Sequence, residues 1–598
     1  MKMKTIAAIG LGLYASLAPA WAKPYYEFDF FETRGSAYER GLQHGRHFQA
    51  EIRKDFEEKS GWAYSVPLQY RRPEIVASFL RQIRALPEGQ ELIDEMQGIA
   101  EGSGRPFTDI AALNVTFDLG DREACSMAIM PETADGPIIV DTLDDYPSGK
   151  FQRNYPSFVQ VAYPTKGHAL VFLCNYGAVF AHHGLNDAGL AMGATSGGIG
   201  APRGGANYDG VYQPMLSRYA LQFMTNAEDV IALYTAHRQL TKCINVTVVD
   251  DTGRGAVLEY GSSVVGVRRV DPATKRPIWA TNHVLSDKFP PYTPDIERYG
   301  YMINSRARYR RFEQLFAGAP ALDLAYARRI LTDAKSGEEG PICQDNHEMV
   351  TTTGYLYASR LRTAQLYLGR PDLSTPRTVK LDPAQKPATG APAPANAQVQ
   401  QVLQAQPLKM GLRYVRYEGG FVTGVNTNNG TFTFKTAQGT QLVAQVTQGS
   451  RVAVFAPAAL GEIPADSRTD LRGRGDTNTG RFVADRLVTF RPPIPWDRIG
   501  GGRFGHGLNE ASGLITQPGG KLLLKYKEDR PPVTVALATN GQAYVAYMKN
   551  GQIAEVRPHV PVDVFGAVLF DGDPVHVSWT TLYVDAAEAR RLKLAQEK

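Results

Sequence analysis

The spacing of apolar and polar positions changes character twice along this chain of 598 residues. Between residues 36 and 116 it has the period of helices. Ser36 stands where a cap is needed, ahead of an interleaved stretch from Tyr38 to Glu58. Pro73 opens a second helix, with Ile75, Phe79 and Ile83 four residues apart on one face. Glu91 to Glu101 makes a third, stopped by Gly102-Ser103-Gly104. Thr108 caps a fourth that runs through Ile110, Leu113 and Asn114.

At Cys125 the pattern becomes that of strands. Runs at 136–141, 158–162, 168–173 and 188–192 are short and apolar, and 245–250 with 255–259 read as a hairpin about Asp251-Thr252-Gly253. Helical spacing returns at 213–224, 227–238, 305–317 and 322–333, and strands at 354–369 close the region. Strands, then helices, then strands predict an α+β fold, with antiparallel sheets packed by helices rather than a doubly wound parallel sheet.

Residues 381–409 are rich in Pro and Ala and poor in core-forming residues, so they read as a linker. Beyond them nearly every pattern is β. Residues 424–434 resemble 513–524: each is a strand, a polar Gly turn and an alternating strand. The expectation is two small β-barrels, at 410–497 and 498–598.

Composition narrows the partners. The net charge is only +5 and no block of Lys and Arg occurs, which argues against nucleic acid or an anionic membrane. Lys2 and Lys4, an apolar stretch from Thr5 to Leu17, and Ala20-Trp21-Ala22 form a signal peptide over residues 1–22. A periplasmic or secreted protein starting near Lys23 is expected. No later window supplies the ~18 apolar residues of a membrane span. The four cysteines, Cys125, Cys174, Cys243 and Cys343, are too sparse for a disulfide scaffold, and at most one bridge forms if Cys125 stays free. None has metal-ligand spacing, and His182-His183 read as structural, so neither metal nor cofactor is expected.

Candidate chemistry gathers around Cys125, in Asp-Arg-Glu-Ala-Cys-Ser-Met. No His lies near it in sequence. A cut between Ala124 and Cys125 would expose an α-amine of pKa ~8, able to deprotonate its own thiol. Asp144 follows the turn Ala134-Asp135-Gly136-Pro137. Asp145 is its neighbour and faces the other way on a strand. Asn282 lies in Thr281-Asn282-His283, and Ser305 and Arg308 lie in Asn304-Ser-Arg-Ala-Arg-Tyr309. A thiol, a carboxylate, an amide and a guanidinium can attack an amide bond and hold its oxyanion, with Asn282 as an oxyanion donor. The mundane readings are a buried cysteine, a strand-end carboxylate, a turn-capping Asn and solvated helix arginines. His44, before the cut, reads as packing or maturation rather than catalysis.

Several segments, taken in order, resemble the N-terminal-nucleophile hydrolases of the acyl-coenzyme A:6-aminopenicillanic-acid acyltransferase and carcinine hydrolase group. They are residues 34–45, 95–104, Ala124-Cys125 with the Asp-Gly turn, 184–190, Thr281-Asn-His283, 304–308 and Pro341-Ile-Cys343. The resemblance covers residues 31–370. It implies a four-layer αββα sandwich, a helical small chain at 23–124, a catalytic core at 125–380 and autoproteolysis at Ala124-Cys125. It also implies that Asp144 orients or charge-balances the new ammonium and that Arg308 or Ser305 faces the nucleophile. The sequence departs where the family often has Asn-Trp-Asp, here Thr142-Leu143-Asp144, and two residues past the nucleophile, here Met127.

The function expected is therefore a self-cleaving cysteine amidase of linear, non-peptide C–N bonds, acting on a small amide or N-acyl substrate. Acyl transfer to an amine is the near alternative. A non-catalytic periplasmic binding or envelope protein, with the β-region docking a partner, is the alternative of another class.

Overall fold

The computed structural model describes residues 29–57, 71, 73–116, 124–145, 157–198, 210–239, 243–292, 300–319, 321–334, 340–345, 349–405, 413–457, 467–476, 479–491, 510–516, 521–525, 531–537, 544–550, 553, 556–568 and 574–583. The signal peptide and its cleavage site lie outside them. So do the Pro492–Trp496 segment and residues 406–409 at the end of the expected linker.

Two sheets stack face to face. The first has the order β1-β4-β5-β6-β7-β8-β9-β10, from β1 (Asp29–Gly35), β4 (Ser157–Pro164), β5 (Leu170–Asn175), β6 (Gly184–Asn186), β7 (Ala191–Ser196), β8 (Ile244–Val249), β9 (Gly255–Tyr260) and β10 (Val265–Arg269). The second runs β11-β2-β3-β12-β13-β14, from β11 (Ile278–Ala280), β2 (Ala124–Met130), β3 (Ile138–Asp145), β12 (Val350–Ala358), β13 (Thr363–Leu368) and β14 (Arg377–Lys380). Within these two sheets all pairings are antiparallel except that of β1 with β4.

The strands are apolar on both faces because both faces are covered. On β4, Val159, Val161 and Tyr163 enter the core between the sheets, while Phe158 and Ala162 point to the helices outside. On β3, Ile139 points inward and Ile138 and Val140 outward. Helices α1 (Ala37–His47), α2 (Gln49–Glu57), α3 (Pro73–Ala85), α4 (Gln90–Ser103), α5 (Phe107–Thr116), α6 (Gln213–Phe223) and α7 (Ala227–Ala236) cover the first sheet. Helices α8 (Gly300–Ala317) and α9 (Leu324–Leu331) cover the second. The order of layers is helix, sheet, sheet, helix: the αββα sandwich.

Two helix boundaries differ from the sequence reading. The helix capped by Ser36 does not run unbroken to Glu58; Phe48 closes α1 and a second helix starts at Gln49. Phe48 is almost fully buried among aromatic rings, so packing overrides the continuous polar-apolar pattern. Thr108 lies inside α5 rather than capping it, because the helix begins on the Pro106 carbonyl. The Gly41/Gly45 and Gly98/Gly102 pairs let α1 and α4 touch backbone to backbone. A Cβ on Gly41 would lie 2.0 Å from the Glu95 carbonyl oxygen. All four cysteines are buried and unbridged, with Cys174 on β5 and Cys243 just before β8.

Residues 381–405 are not a free tether. The segment crosses the α1, α4 and α5 layer and ends in α10 (Ala397–Gln404), whose Val399 and Val402 enter the main core. The Gln97 amide donates to the Pro394 carbonyl (2.8 Å), and Gln398 Oε1 accepts from the first N–H of α5 (2.9 Å). Arg34 donates to the Gln385 carbonyl and side chain, and Lys386 to the Gly167 carbonyl. Two apolar positions and a series of polar contacts suffice to seat a segment that composition alone marks as linker.

The C-terminal strands pair into two rings. β15 (Arg413–Asn426), β16 (Thr431–Lys435), β17 (Gln441–Pro457), β25 (Val575–Tyr583) and β24 (Pro561–Val568) close one. β18 (Ser467–Asp476), β19 (Arg481–Arg491), β22 (Val533–Leu537), β21 (Leu522–Lys525) and β20 (Glu510–Thr516) close the other, and β23 (Tyr544–Asn550) pairs with β17 and β19. Each ring has its own core, centred on Phe432, Phe434 and Val562 in one and Phe482, Leu487 and Leu524 in the other. The two hairpins matched in sequence, β15–β16 and β20–β21, fall one in each ring. The units are not consecutive, however. The last two strands return to the first ring, so the second is inserted in it and a boundary at 497/498 divides neither. Strand pairing across more than a hundred residues is invisible to a local pattern. No helix among the described residues is long and apolar enough to cross a membrane.

Candidate active site

Cys125 is the second residue of β2, with its side chain buried. Its strand lies between β11 and β3, and the register sets Ala124 opposite Asp144, Cys125 opposite Leu143 and Ser126 opposite Thr142. Directly paired residues share a face and successive residues alternate. The thiol therefore leaves the sheet toward β7 and β8, with Met127 and Ile129. Asp144 leaves it toward α8, with Thr142 and Ser126.

Arg308 spans the two. From the third turn of α8, fully buried, it donates to the Cys125 carbonyl (2.6 Å), to Ser126 Oγ (2.8 Å) and to Asn282 Oδ1 (2.5 Å). Its Nε donates to Asn304 Oδ1 (2.9 Å). Among the arginines of that helix, Arg310 is exposed and Arg311 pairs with Asp333, so the position of 308 on the helix faces it inward.

Asn282 Oδ1 also accepts from the Cys125 backbone nitrogen (3.2 Å), and its Nδ2 donates to Thr195 Oγ1 (2.6 Å) and the Ser196 carbonyl (3.2 Å). Both neighbours of Oδ1 are donors, so the amide can sit only this way round. It presents its oxygen to Cys125, opposite to the donor role expected of it. Asn245 on β8 fixes the loop by donating to the carbonyls on either side, Thr281 (2.7 Å) and His283 (3.0 Å).

Asp144 is fully buried and accepts from Thr351 Oγ1 (2.6 Å) and Gln344 Nε2 (2.6 Å). Burial pushes its carboxyl above the usual range, opposed by the Arg308 charge and by hydrogen bonds from Thr351, Gln344 and Thr142. The side chain of Asp145 lies outside the described residues.

Ser305 does not reach Cys125. Its hydroxyl meets His283 Nδ1 (2.8 Å) and Thr281 Oγ1 (3.0 Å), and its carbonyl accepts from Thr281 Oγ1 (2.9 Å). His283 is held down to about 3 by burial and by Arg306, Arg308 and Arg268, so its ring is neutral. Ser305 sits one turn before Arg308, and its side chain points to the loop. His44 is a packing residue whose Nε2 accepts from the Gly177 nitrogen (3.0 Å). His183 pairs with buried Asp141 between the sheets. No spacing in the sequence singles out Gln344, Thr351, Thr142, Ser126 or Thr195. The one trace is that Gln344 directly follows Pro341-Ile-Cys343.

Comparison with known families now bears on this geometry. Residues 133–373, which carry Asp144, Asn282, Ser305 and Arg308, match the family model described as acyl-coenzyme A:6-aminopenicillanic acid acyl-transferase. The match is a similarity to that family over this stretch, and Cys125 lies just ahead of it. Part of the chain is also similar to several solved structures. One is a mutant conjugated bile acid hydrolase from Clostridium perfringens, at 12% identity over 46% of this chain and 100% of the other, with a TM-score of 0.25. Penicillin V acylase from Agrobacterium tumefaciens gives 14% identity over 45% and 89%, TM-score 0.27. The Caenorhabditis elegans ortholog of N-acylethanolamine-hydrolyzing acid amidase gives 12% over 43% and 100%, TM-score 0.28. Scores this low lend no weight to the role of any residue. Among curated proteins, none matches the sequence.

Proposed function

We propose that the chain is a self-cleaving cysteine amidase whose nucleophile is Cys125. The observation that carries the reading is the convergence of Arg308 and Asn282 on the two backbone polar groups of Cys125, with Asp144 behind them. Maturation would begin with attack of Cys125 Sγ on the Ala124 carbonyl carbon. The Ala124–Cys125 C–N bond breaks and a thioester forms. Water then cleaves the thioester, leaving a carboxylate on Ala124 and an α-amine on Cys125.

In the matured enzyme that amine takes the thiol proton and the thiolate adds to the substrate carbonyl. The proton passes to the leaving amine as the C–N bond breaks. Water hydrolyses the resulting thioester, and acyl transfer differs only in that a second amine arrives first. Asn282 Oδ1, already on the Cys125 nitrogen, would orient the amine. Arg308 would hold the Cys125 carbonyl, with Asp144 as its buried counter-charge. Export is read from residues 1–22 and acyl specificity from no residue described here; penicillins, N-acyl amino acids and β-alanyl amines form the substrate panel.

Intact mass and amine release test the reading together. The expected result is two copurifying pieces divided before Cys125, with turnover of at least one panel amide. Cys125→Ala should remain one folded, inactive chain, and Cys125→Ser should cut slowly. Activity in Cys125→Ala would sink the nucleophile. An unbroken, inactive parent chain would favour a binding protein.

A further inference from the structure

Between Asp144 and Arg308 runs an unbroken file of side-chain hydrogen bonds. Gln344 Nε2 donates to Asp144 Oδ2 (2.6 Å), Asn304 Nδ2 donates to Gln344 Oε1 (2.8 Å), and Arg308 Nε donates to Asn304 Oδ1 (2.9 Å). Each amide is used at both ends. Neither can flip without setting donor against donor or acceptor against acceptor, so the file has one direction. Arg308 then delivers its remaining donors to the Cys125 carbonyl, Ser126 and Asn282.

The backbone beneath Gln344 is built for this. Gln344 N donates to Thr351 Oγ1 (2.7 Å) and Thr351 N to the Gln344 carbonyl (2.9 Å), and the same Thr351 hydroxyl donates to Asp144. The segment reaches the helix through Gly340, with φ +85°. A Cβ there would lie 2.7 Å from the Arg308 nitrogen, so only glycine brings the loop this close. Gln344 is fully buried and Asn304 half-buried.

We propose that Gln344 and Asn304 are positioning residues, a relay that makes Asp144 and Arg308 a single unit and so sets the guanidinium against the Cys125 carbonyl. The proposal rests on the thiol amidase reading of the site. Neither residue touches the reacting atoms. The charged group acting on Asp144 is Arg308 from α8; the donors around it, Thr142, Thr351 and Gln344, are neutral.

The test compares full-length Gln344→Leu, Gln344→Glu, Asn304→Leu and Cys125→Ala with the parent. One readout is the rate of cutting before Cys125 in newly made chain, which needs no added substrate. The other is kcat and KM from pH 5 to 9 on the panel amide the parent turns over best. For Gln344→Leu, kcat should fall about ten- to a hundredfold, the effect of losing a hydrogen bond to a charged group, with KM within about threefold. The acid limb should move to higher pH, because a donor to the ionised carboxylate is gone. Gln344→Glu should match that loss at pH 8 and recover toward the parent as pH falls, since a protonated Glu again donates to Asp144.

Parent-like kcat, KM and pH profile in Gln344→Leu would overturn the relay, as would a Gln344→Glu defect indifferent to pH. If Gln344→Leu does not fold, Asn304→Leu breaks the same file at a half-buried link and should show the same split of kcat from KM. Its absence there also overturns the proposal. A Cys125→Ala enzyme that still turns over substrate instead defeats the nucleophile reading, whatever the relay does.

Discussion

Asp144 pairs in the sheet with Ala124, one residue out of step with Cys125, so carboxylate and thiol leave β2 and β3 on opposite faces. The carboxylate therefore lies on the face of the sheet opposite the thiol. Its link to Cys125 runs through Arg308 and the Cys125 carbonyl, not by direct contact with the sulfur. Asp144→Asn removes the charge and keeps the shape. It should leave the fold intact while lowering the rate of self-cleavage and kcat by about a hundredfold or more, as loss of a preorganised charge at a site does. Thermal melting beside cleavage kinetics checks this; unchanged kinetics in a folded variant would contradict it.

A second expectation concerns the seam between the two proposed pieces. Glu95 on α4 accepts from Arg40 on α1 (2.7 Å) and from Arg218 on α6 (2.9 Å), all three buried. Glu95 and Arg40 precede the proposed cut and Arg218 follows it. Burial opposes ionisation of Glu95, yet the two arginines outweigh it and hold the carboxyl below its usual range. Glu95→Ala leaves two guanidinium groups buried without their partner and should cost about 3–5 kcal/mol. Urea denaturation measures it. Because the carboxyl is depressed, the stabilisation is present above its unfolded pKa and is lost as pH falls through the folded value.

Two chain ends separate the role of the strap at 381–405 from that of the rings beyond it. A chain ending at residue 405 keeps Val399, Val402 and the Gln398 cap on α5, and should fold and be cut before Cys125 as the full chain is. One ending at residue 380 uncovers the core beneath those valines, each worth roughly 1.5–3 kcal/mol when buried. It should be less stable and release the small piece after cleavage. Gel filtration of both decides it, and equal stability would show the strap to be dispensable.

Acid should weaken the fold through histidine as well. His44 and His283 are both held down to about 3 by burial. Their unfolded forms bind protons first, so stability falls as pH drops from about 6.5 toward 3, by up to about 1.4 kcal/mol per pH unit for each. Denaturant titrations at pH 7, 6, 5 and 4 should show the slope, and His283→Gln should flatten it. An unchanged slope in that variant would mean that His283 is not the group titrating.

The chain's local patterns are enough for the layer composition. Period-two apolar runs and the helix cap at Ser36 are contacts within a few residues or repeats of a face, so a linear reading finds them. Cys125, Asp144, Asn282 and Arg308 are chemically distinctive and stand near turns or helix starts, which makes them visible too. What they do to one another is tertiary. Whether Asn282 offers its oxygen or its nitrogen depends on Arg308 and Thr195, far away in sequence. Ser305 and Arg308 differ only by a few positions on one helix, and the rotation of that helix decides that the guanidinium, not the hydroxyl, meets Cys125. Gln344 has no local mark beyond following Pro341-Ile-Cys343, since an amide acquires a role only from what stands at its two ends. The same holds for the strap and the interleaved rings: composition and alternation describe a segment, and only packing chooses the surface on which it lies.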